Sequence, residues 1–212
     1  IYKWNGLVPP ASQINNPKTV TSISDLKNLF FIHLGYSSTI MSFYLLPLIS
    51  LTGDFDAIKK RLKNILNDKK IFFLIFLCIL YISYNFIFFD FEKFTVSEYW
   101  VGLGIVHKLT TILTQNIFYQ EIITYLFFLF SFIVLIYFYY IKRTDILIIS
   151  YFLVISVFLW PLMQEYFDPS VLIISLLMFV SINYLNKVNS MFLMLYFSIF
   201  LIIANIYYSN II

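Results

Sequence analysis

The sequence predicts an all-α protein, a polytopic bundle of about six transmembrane helices with an amphipathic helix on the outer face. Hydrophobic residues make up 61% of the 212 residues and charged residues 12%, whereas ordinary soluble domains have about 45–50% and about 25%. The mean hydropathy is +0.86. Several apolar runs approach or exceed the length of about 20 residues that a helix needs to cross the hydrocarbon core. Lipid is therefore the predicted solvent for most of this chain.

The chain divides into residues 1–25, predicted to form an outer loop, and residues 26–212, predicted to form the transmembrane helical domain. The loop is polar, and its prolines exclude a continuous helix. The chain begins with Ile1 and shows no signal peptide, so we expect it to be the C-terminal part of a longer membrane protein. The single cysteine, Cys78, lies within an apolar run, which provides neither a disulfide nor a metal cluster within the chain.

Six apolar stretches are long enough, or nearly long enough, to be spans. In chain order they cover residues 26–51, 71–89, 117–141, 146–163, 171–185 and 191–208. The fifth is short, so it would tilt little, thin the bilayer locally or extend through its polar neighbours.

Basic residues determine the predicted orientation of these spans. Three alternate links hold nine of the fourteen Lys and Arg residues, namely Lys59, Lys60, Arg61, Lys63, Lys69, Lys70, Lys142, Arg143 and Lys187. Because short cytoplasmic links are enriched in Lys and Arg, these links are predicted to be cytoplasmic, which leaves both termini on the outer side. Trp4, Trp100 and Trp160 then all fall on the outer side, where their amphipathic rings suit the headgroup level.

The first basic link is predicted to contain a surface helix over residues 56–69. Ile58, Leu62, Ile65 and Leu66 share one face of that helix and the lysines take the other. Such a helix would lie against anionic headgroups. The simpler interpretation is that its charges only anchor the topology, which is a common use of Lys and Arg.

The longest outer link, residues 90–116, is predicted to contain the amphipathic helix of the outer face. Its predicted start is Ser97, and apolar residues follow at helical spacing at Leu103, Val106, Leu109 and Leu113. We expect this helix to lie on the outer membrane surface or to re-enter the bilayer in part.

His107 and Lys108 fall near the middle of that helix, close to the depth of a lipid phosphate. Lysine is a compact, flexible cation that pairs with phosphate, and the alternative is that Lys108 only snorkels to a headgroup. In the spans, His33 precedes the polar stretch "GYSST", and Glu121 either faces a polar cavity or reaches the surface. The two histidines lie in different elements, so neither a metal site nor a haem is predicted.

The stretch "WPLMQEYFDPS", residues 160–170, is predicted to be a tight outer turn between the fourth and fifth spans. Asp168 followed by Pro169 is typical of a helix start, with the carboxylate as N-cap. Glu165 has no such structural role at this position beside Tyr166. It is therefore the sharper functional candidate of the two acids.

A Trp-containing outer loop, a "GLVPP" segment leading into a span and an "EYFDP" turn before another span resemble the C-terminal halves of GT-C-type glycosyltransferases. Members of that family transfer sugars from polyprenyl-phosphate carriers at the outer or lumenal face. Many carry an Arg-Tyr-Leu and Pro turn before one of the last spans. Here Tyr166, Phe167 and Pro169 match its Tyr, apolar residue and Pro, while Glu165 replaces the Arg and Asp168 precedes the proline. The turn therefore lacks the cation of that pattern.

The resemblance implies an integral membrane glycosyltransferase whose partners are membrane lipid and a lipid-linked sugar donor. The residues themselves predict no cofactor and no metal. It implies cations beside the phosphate, carboxylates on sugar hydroxyls and aromatic rings stacked on the sugar. The corresponding residues are Lys93, His107 and Lys108 for the phosphate, Glu98 and Glu165 for the hydroxyls, and Trp100 and Tyr166 for stacking. The family's catalytic carboxylate comes from its first outer loop, which would precede Ile1.

Other functions remain open from the sequence alone, so enzyme activity is a hypothesis. A membrane transporter or a lipid-handling protein is the first alternative, although the middles of the second and sixth spans are entirely apolar and no internal repeat is evident. A non-catalytic scaffold subunit is the other. The five glycines argue against the tight small-residue interfaces of many channels. The net charge of +3 is too small to indicate a nucleic-acid partner.

Overall fold

The computed structural model describes the larger part of the chain, and all regular structure in that part is helical. The described residues are 23–51, 55–91, 104–114, 116–141, 150–151, 153–154, 191–199 and 202. In chain order the elements are α1 (Ile23–Leu45), a 3-10 helix (Leu46–Leu51), α2 (Phe55–Asn67), α3 (Lys69–Phe88), α4 (Gly104–Leu113) and α5 (Ile117–Ile141).

Within the described residues, three helical stretches are long and apolar enough to cross a membrane: Phe31–Ser50, Lys69–Phe88 and Ile117–Ile141. They coincide with the first three predicted spans, which confirms a helical, membrane-embedded chain. Residues 150–151, 153–154, 191–199 and 202 are also helical and fall within the fourth and sixth predicted spans. The fifth predicted span and residues 1–22 of the predicted loop lie outside the described residues, so six spans stay a prediction.

The first span changes its helix type at Pro47. α1 ends at Leu45, and the chain continues as a 3-10 helix from Leu46. Proline has no N–H for an i−4 hydrogen bond, and its ring disfavours helical backbone in the residue before it. The hydroxyl of Ser50 donates to the carbonyl of Pro47 over 2.7 Å. The break lies inside the apolar stretch, so the first span is not one regular helix.

A single residue, Asp68, separates α2 from α3. Its backbone is extended, and its carboxylate accepts a hydrogen bond from the N–H of Lys70 over 2.9 Å, as an N-cap does. The N–H of Asp68 still bonds to the carbonyl of Ile65. α2 is therefore held at the start of the second span rather than on a free loop.

Helices α4 and α5 begin at residues suited to helix starts. Gly104 has φ of 73° at the first position of α4, a left-handed conformation that glycine adopts without a Cβ penalty. Asn116 caps α5, since its side-chain oxygen accepts from the N–H of Phe118 over 2.9 Å. The structure thus has a helix over Gly104–Leu113 within the predicted outer link. Its place at an outer face stays a prediction, and its predicted start at Ser97 lies outside the described residues.

Helix α5 packs on each of the other four helices, most extensively on α1. Helix α1 also packs on α4, and α2 also packs on α3, while the first span is the most buried of the three described spans. Residues 191–199 reach α1 through Tyr196, whose hydroxyl donates to the carbonyl of Phe43 over 3.1 Å. Ring contacts of Phe31 with Tyr84 and of Phe86 with Tyr125 bring the start of α1, the end of α3 and the start of α5 together. We call this the upper end of the bundle.

Candidate functional site

The α1–α5 interface is joined by three serines at mid-depth. The Ser38 hydroxyl lies 3.1 Å from the Ser131 hydroxyl, and the Ser42 hydroxyl donates to the Ser131 carbonyl over 3.0 Å. Each serine is buried, and each also donates to a carbonyl of its own helix. Small hydroxyl residues of this kind hold transmembrane helices together. These serines therefore serve helix packing and are not the functional candidates.

Gly35 of α1 packs directly against the ring of Phe128 of α5. A Cβ at this position would lie 2.3 Å from a ring carbon of Phe128, which is fully buried. On the α3 side, the hydroxyl of Tyr81 donates to the Phe31 carbonyl over 2.7 Å and accepts from the Gly35 N–H over 3.0 Å. One phenol thus bridges a backbone pair of α1, and α3 is fixed to α1 at this level.

A polar cluster lies above this contact, between α1, α4 and α5. We call it the Tyr36 cluster, and its members are His33, Tyr36, His107, Gln120 and Thr124. All five are buried. The ring of Tyr36 meets the His107 imidazole edge-on at 5.9 Å, and its hydroxyl faces the Thr124 side chain. Tyr36, His107 and Thr124 therefore meet inside the bundle, with His33 three residues before Tyr36 on α1 and Gln120 one turn before Thr124 on α5.

The backbone hydrogen bonds of the cluster explain how its side chains are held. The Thr124 hydroxyl donates to the Gln120 carbonyl one turn earlier over 2.8 Å, and the Thr110 hydroxyl donates to the His107 carbonyl over 2.9 Å. The Gln120 Nε2 and the hydroxyl of Ser37 are buried without a hydrogen-bond partner in the structure. A buried polar group without a partner is costly. These two groups are therefore buried polar atoms without a hydrogen bond in the part of the chain that the structure describes.

An open apolar groove of about 350 Å³ runs between the upper halves of α3 and α5. It is lined by Ile82, Ser83, Phe86, Ile87, Ile122, Tyr125, Leu126 and Leu129. A second open groove of about 530 Å³ lies on the other side of α3, against Phe31 of α1. Ser83 and Ile87 line both grooves. The upper half of α3 thus lies between two open apolar grooves.

Tyr125 connects the first groove with the Tyr36 cluster. It lines the groove, and its ring lies 5.7 Å from that of Phe128, which in turn lies 5.0 Å from that of Tyr36. One turn away, the half-buried Glu121 carboxyl faces the Tyr125 hydroxyl and is close enough to Asp90 for the two carboxylates to interact. The apolar groove therefore lies beside acidic and phenolic groups near the upper end.

Of the seven predicted site residues, the structure describes the side chain of His107 alone. His107 is buried in the Tyr36 cluster. Lys108 follows it on α4, but its side chain is outside the described part of the chain. The other five predicted site residues, Lys93, Glu98, Trp100, Glu165 and Tyr166, lie outside the described residues altogether. The structure thus brings His107 to other polar groups and leaves the roles predicted for these residues as predictions.

Several residues of the described site were not predicted from the sequence. Tyr36, Gln120, Thr124 and Tyr125 are all absent from the predicted set. A signal was present for two of them, because Gln120 and Thr124 are polar residues four positions apart in a long apolar run and so share one face of a helix. Tyr36 and Tyr125 had no such signal among the chain's 17 tyrosines.

Comparison of the chain with protein-family models, with curated proteins and with solved structures finds no match. Within the described residues, no group of three or more His, Cys, Asp and Glu side chains is placed to hold a metal ion. The described site therefore offers hydrogen bonds, aromatic faces and carboxylates, beside an apolar groove that opens outward from the bundle.

Proposed function

We propose that this chain is a multi-pass membrane protein with six spans and both termini on the outer side. The three described spans and the basic links between the predicted spans support this arrangement. The upper end of the bundle is then the outer face, because the basic helix α2 lies at the opposite end of α3.

We further propose that it is the membrane region of a glycosyltransferase that takes a sugar from a lipid-phosphate carrier at that face. One observation carries the proposal. The apolar groove between α3 and α5 is open along its side, is lined in part by Tyr125 and lies next to the Glu121 carboxyl near the upper end. A polyprenyl chain needs an apolar channel reachable from the bilayer, and its sugar phosphate needs polar groups at headgroup depth. The groove and the residues around Glu121 and Tyr125 supply these two environments side by side.

The proposed reaction is a displacement at the anomeric carbon of the donor. The acceptor hydroxyl oxygen forms the new bond to that carbon, the bond from the carbon to the phosphate oxygen breaks, and polyprenyl phosphate leaves. A carboxylate takes the acceptor proton, and a cation stabilises the charge on the leaving phosphate. Glu121 is the described carboxylate nearest the groove. Lys93 and Lys108 are the proposed cations, with His107 behind them.

The remaining predicted residues keep their proposed roles at the outer face. Glu98 and Glu165 would bind sugar hydroxyls, and Trp100 and Tyr166 would stack on the sugar ring. The partners proposed for the chain are thus membrane lipid and a lipid-linked sugar, without a nucleic acid and without a cofactor.

The test compares two tryptophan substitutions on one helix. The full-length protein is reconstituted in vesicles with a polyprenyl-phosphate hexose carrying tritium, and released or transferred sugar is counted. Leu126→Trp fills the groove, and we expect it to lower the rate at least about tenfold, which is about 1.4 kcal/mol in the barrier. Ile133→Trp adds the same ring two turns away, on an exposed position that lines neither groove, and should leave the rate unchanged.

Two results would contradict the proposal. If no sugar leaves the donor in vesicles with the wild-type protein, the proposed glycosyltransferase activity is excluded. Equal rates in the two tryptophan variants would remove the groove as the donor site, even if wild-type transfer were found.

A transporter or lipid-handling protein is the second candidate, and α1 is the observation that favours it. This helix buries His33 and the unpartnered Ser37 hydroxyl, and the first span changes to a 3-10 helix at Pro47. Interrupted spans with buried polar groups are typical of transporters. Movement of a fluorescent polyprenyl phosphate between leaflets, measured by dithionite quenching in the absence of any sugar transfer, would favour this candidate.

A further inference from the structure

We propose that α2 is an interfacial helix that inserts an apolar stripe into the lipid surface and binds anionic phospholipid headgroups with the lysines beside that stripe. The proposal concerns the lower end of the bundle, opposite the groove, and does not depend on the chemistry proposed above.

The apolar residues of α2 divide into two groups that face in different directions. Ile65 is buried at 5% exposure, and Ile58 packs against the same core, so this side of α2 faces α3 and α5. Phe55, Leu62 and Leu66 are exposed at 79%, 40% and 67%. Ile58 and Ile65 are therefore used for packing within the protein, and the other three apolar side chains of α2 remain uncovered.

The uncovered residues form one line along the helix. Phe55, Leu62 and Leu66 are spaced by seven and then four residues, which places them within about 40° of one another at 3.6 residues per turn. Lys59 falls at the edge of the stripe and Lys63 one step further from it. An exposed apolar line with cations along one edge is the pattern of a helix lying in a membrane interface.

The position of α2 puts this stripe at the depth of the lipid surface. A single residue, Asp68, lies between the end of α2 and the start of α3, and it caps α3. Because α3 crosses the membrane from Lys69 onward, its first turn marks the boundary between the hydrocarbon and the headgroups. α2 therefore cannot move away from this boundary into bulk water without breaking the cap.

The charge of this region complements an anionic headgroup layer. Between Phe55 and Lys70 there are six basic residues and two acidic ones, Asp56 and Asp68, and Asp68 is engaged in capping Lys70. Lys59 and Lys63 are exposed. Each lysine near an anionic surface contributes favourably to binding. The combination of stripe, position and charge favours a lipid surface over a protein partner.

Spin labelling of the full-length protein in vesicles that contain phosphatidylglycerol tests the apolar stripe. In a Cys78→Ser background, Leu66→Cys and Lys60→Cys each receive a nitroxide. The second position lies on the opposite side of α2 and serves as the matched control. Inserted in lipid, the label at position 66 collides with oxygen and not with a water-soluble nickel chelate, and the label at position 60 shows the reverse.

Two outcomes at position 66 would overturn the proposal. Frequent collisions with the nickel chelate would mean that the stripe faces water. Protection from both reagents would mean that a protein surface covers it.

Spin-labelled phosphatidylglycerol and phosphatidylcholine test the headgroup contact. We expect wild-type protein to prefer the anionic lipid, Lys59→Gln with Lys63→Gln to reduce that preference severalfold, and Lys60→Gln to change it less. Equal selectivity in all three proteins would overturn the headgroup contact.

Discussion

Helices α1 and α3 both belong to spans, yet they occupy opposite environments. Along the apolar stretch of the first span, 78% of the residues are buried and the mean hydropathy is 1.2, whereas along α3 only 11% are buried and the mean hydropathy is 2.4. The more apolar span is thus the one that faces outward. In water the order would be reversed, because burial there is driven by transfer of apolar surface. In lipid, packing and hydrogen bonds decide which helix is central.

The largest expected effect separates two isoleucines, one on each helix. Ile40→Ala removes a side chain of α1 that is 1% exposed, and Ile79→Ala removes one of α3 that is 48% exposed. Cavity formation should make Ile40→Ala cost about 3 kcal/mol of unfolding free energy. Ile79→Ala should cost less than about 0.5 kcal/mol, because lipid surrounds that side chain before and after unfolding. Reversible unfolding in mixed detergent micelles measures both, and equal losses would break the comparison.

Gly35→Ala sharpens the comparison by testing how closely α1 is packed. The new Cβ would lie 2.3 Å from the ring of Phe128. So severe an overlap with a buried ring should place the overpacking cost at the upper end of about 1–3 kcal/mol. The better helix propensity of alanine offsets about 1 kcal/mol of that cost, so we expect a net loss of about 2 kcal/mol. The double variant Gly35→Ala with Phe128→Leu should lose less than the two single losses added together. Strict additivity in this cycle would contradict the close approach.

Tyr81→Phe tests the hydroxyl that joins α3 to α1, and it has the smallest expected effect. It removes hydrogen bonds to the Phe31 carbonyl and from the Gly35 N–H. Both backbone groups can still pair with each other within α1, so the loss should be about 1 kcal/mol. Tyr84→Phe on the same helix is the matched control, since Tyr84 is exposed. A Tyr81→Phe protein as stable as that control would mean that the phenol is incidental.

The sequence could predict the spans because crossing a bilayer requires length and apolarity, and both are visible in the residues. It could not predict which span is central, because hydropathy carries no information on packing between helices in lipid. The helix α4 shows the same limit. Its apolar repeat predicted Leu113 on the membrane-facing stripe, and Leu113 is exposed, whereas His107 and Thr110 are buried inside the bundle together with Val106.

The polar site was only partly visible for a related reason. His107 was predicted as an ionisable residue near a headgroup, and in the structure it is buried against Tyr36. Gln120 is also buried, and it was not predicted because a neutral amide in an apolar run is not ionisable. On α2 the periodicity predicted one apolar face, but packing divided that face between Ile65, which is buried, and Leu66, which is exposed. Such divisions depend on neighbouring helices that no local pattern specifies.

The one-residue junction at Asp68 has a mechanical consequence. It joins α2 directly to α3, so that in the proposed arrangement one helix crosses the bilayer and the other lies along its surface. A thinner bilayer forces a span to tilt, and tilting α3 turns α2 out of the headgroup plane unless the cap between Asp68 and Lys70 opens. In that arrangement, bilayer thickness acts on the tilt of α3, and surface charge acts on the position of α2. A change in either one therefore loads the Asp68 junction between the two helices.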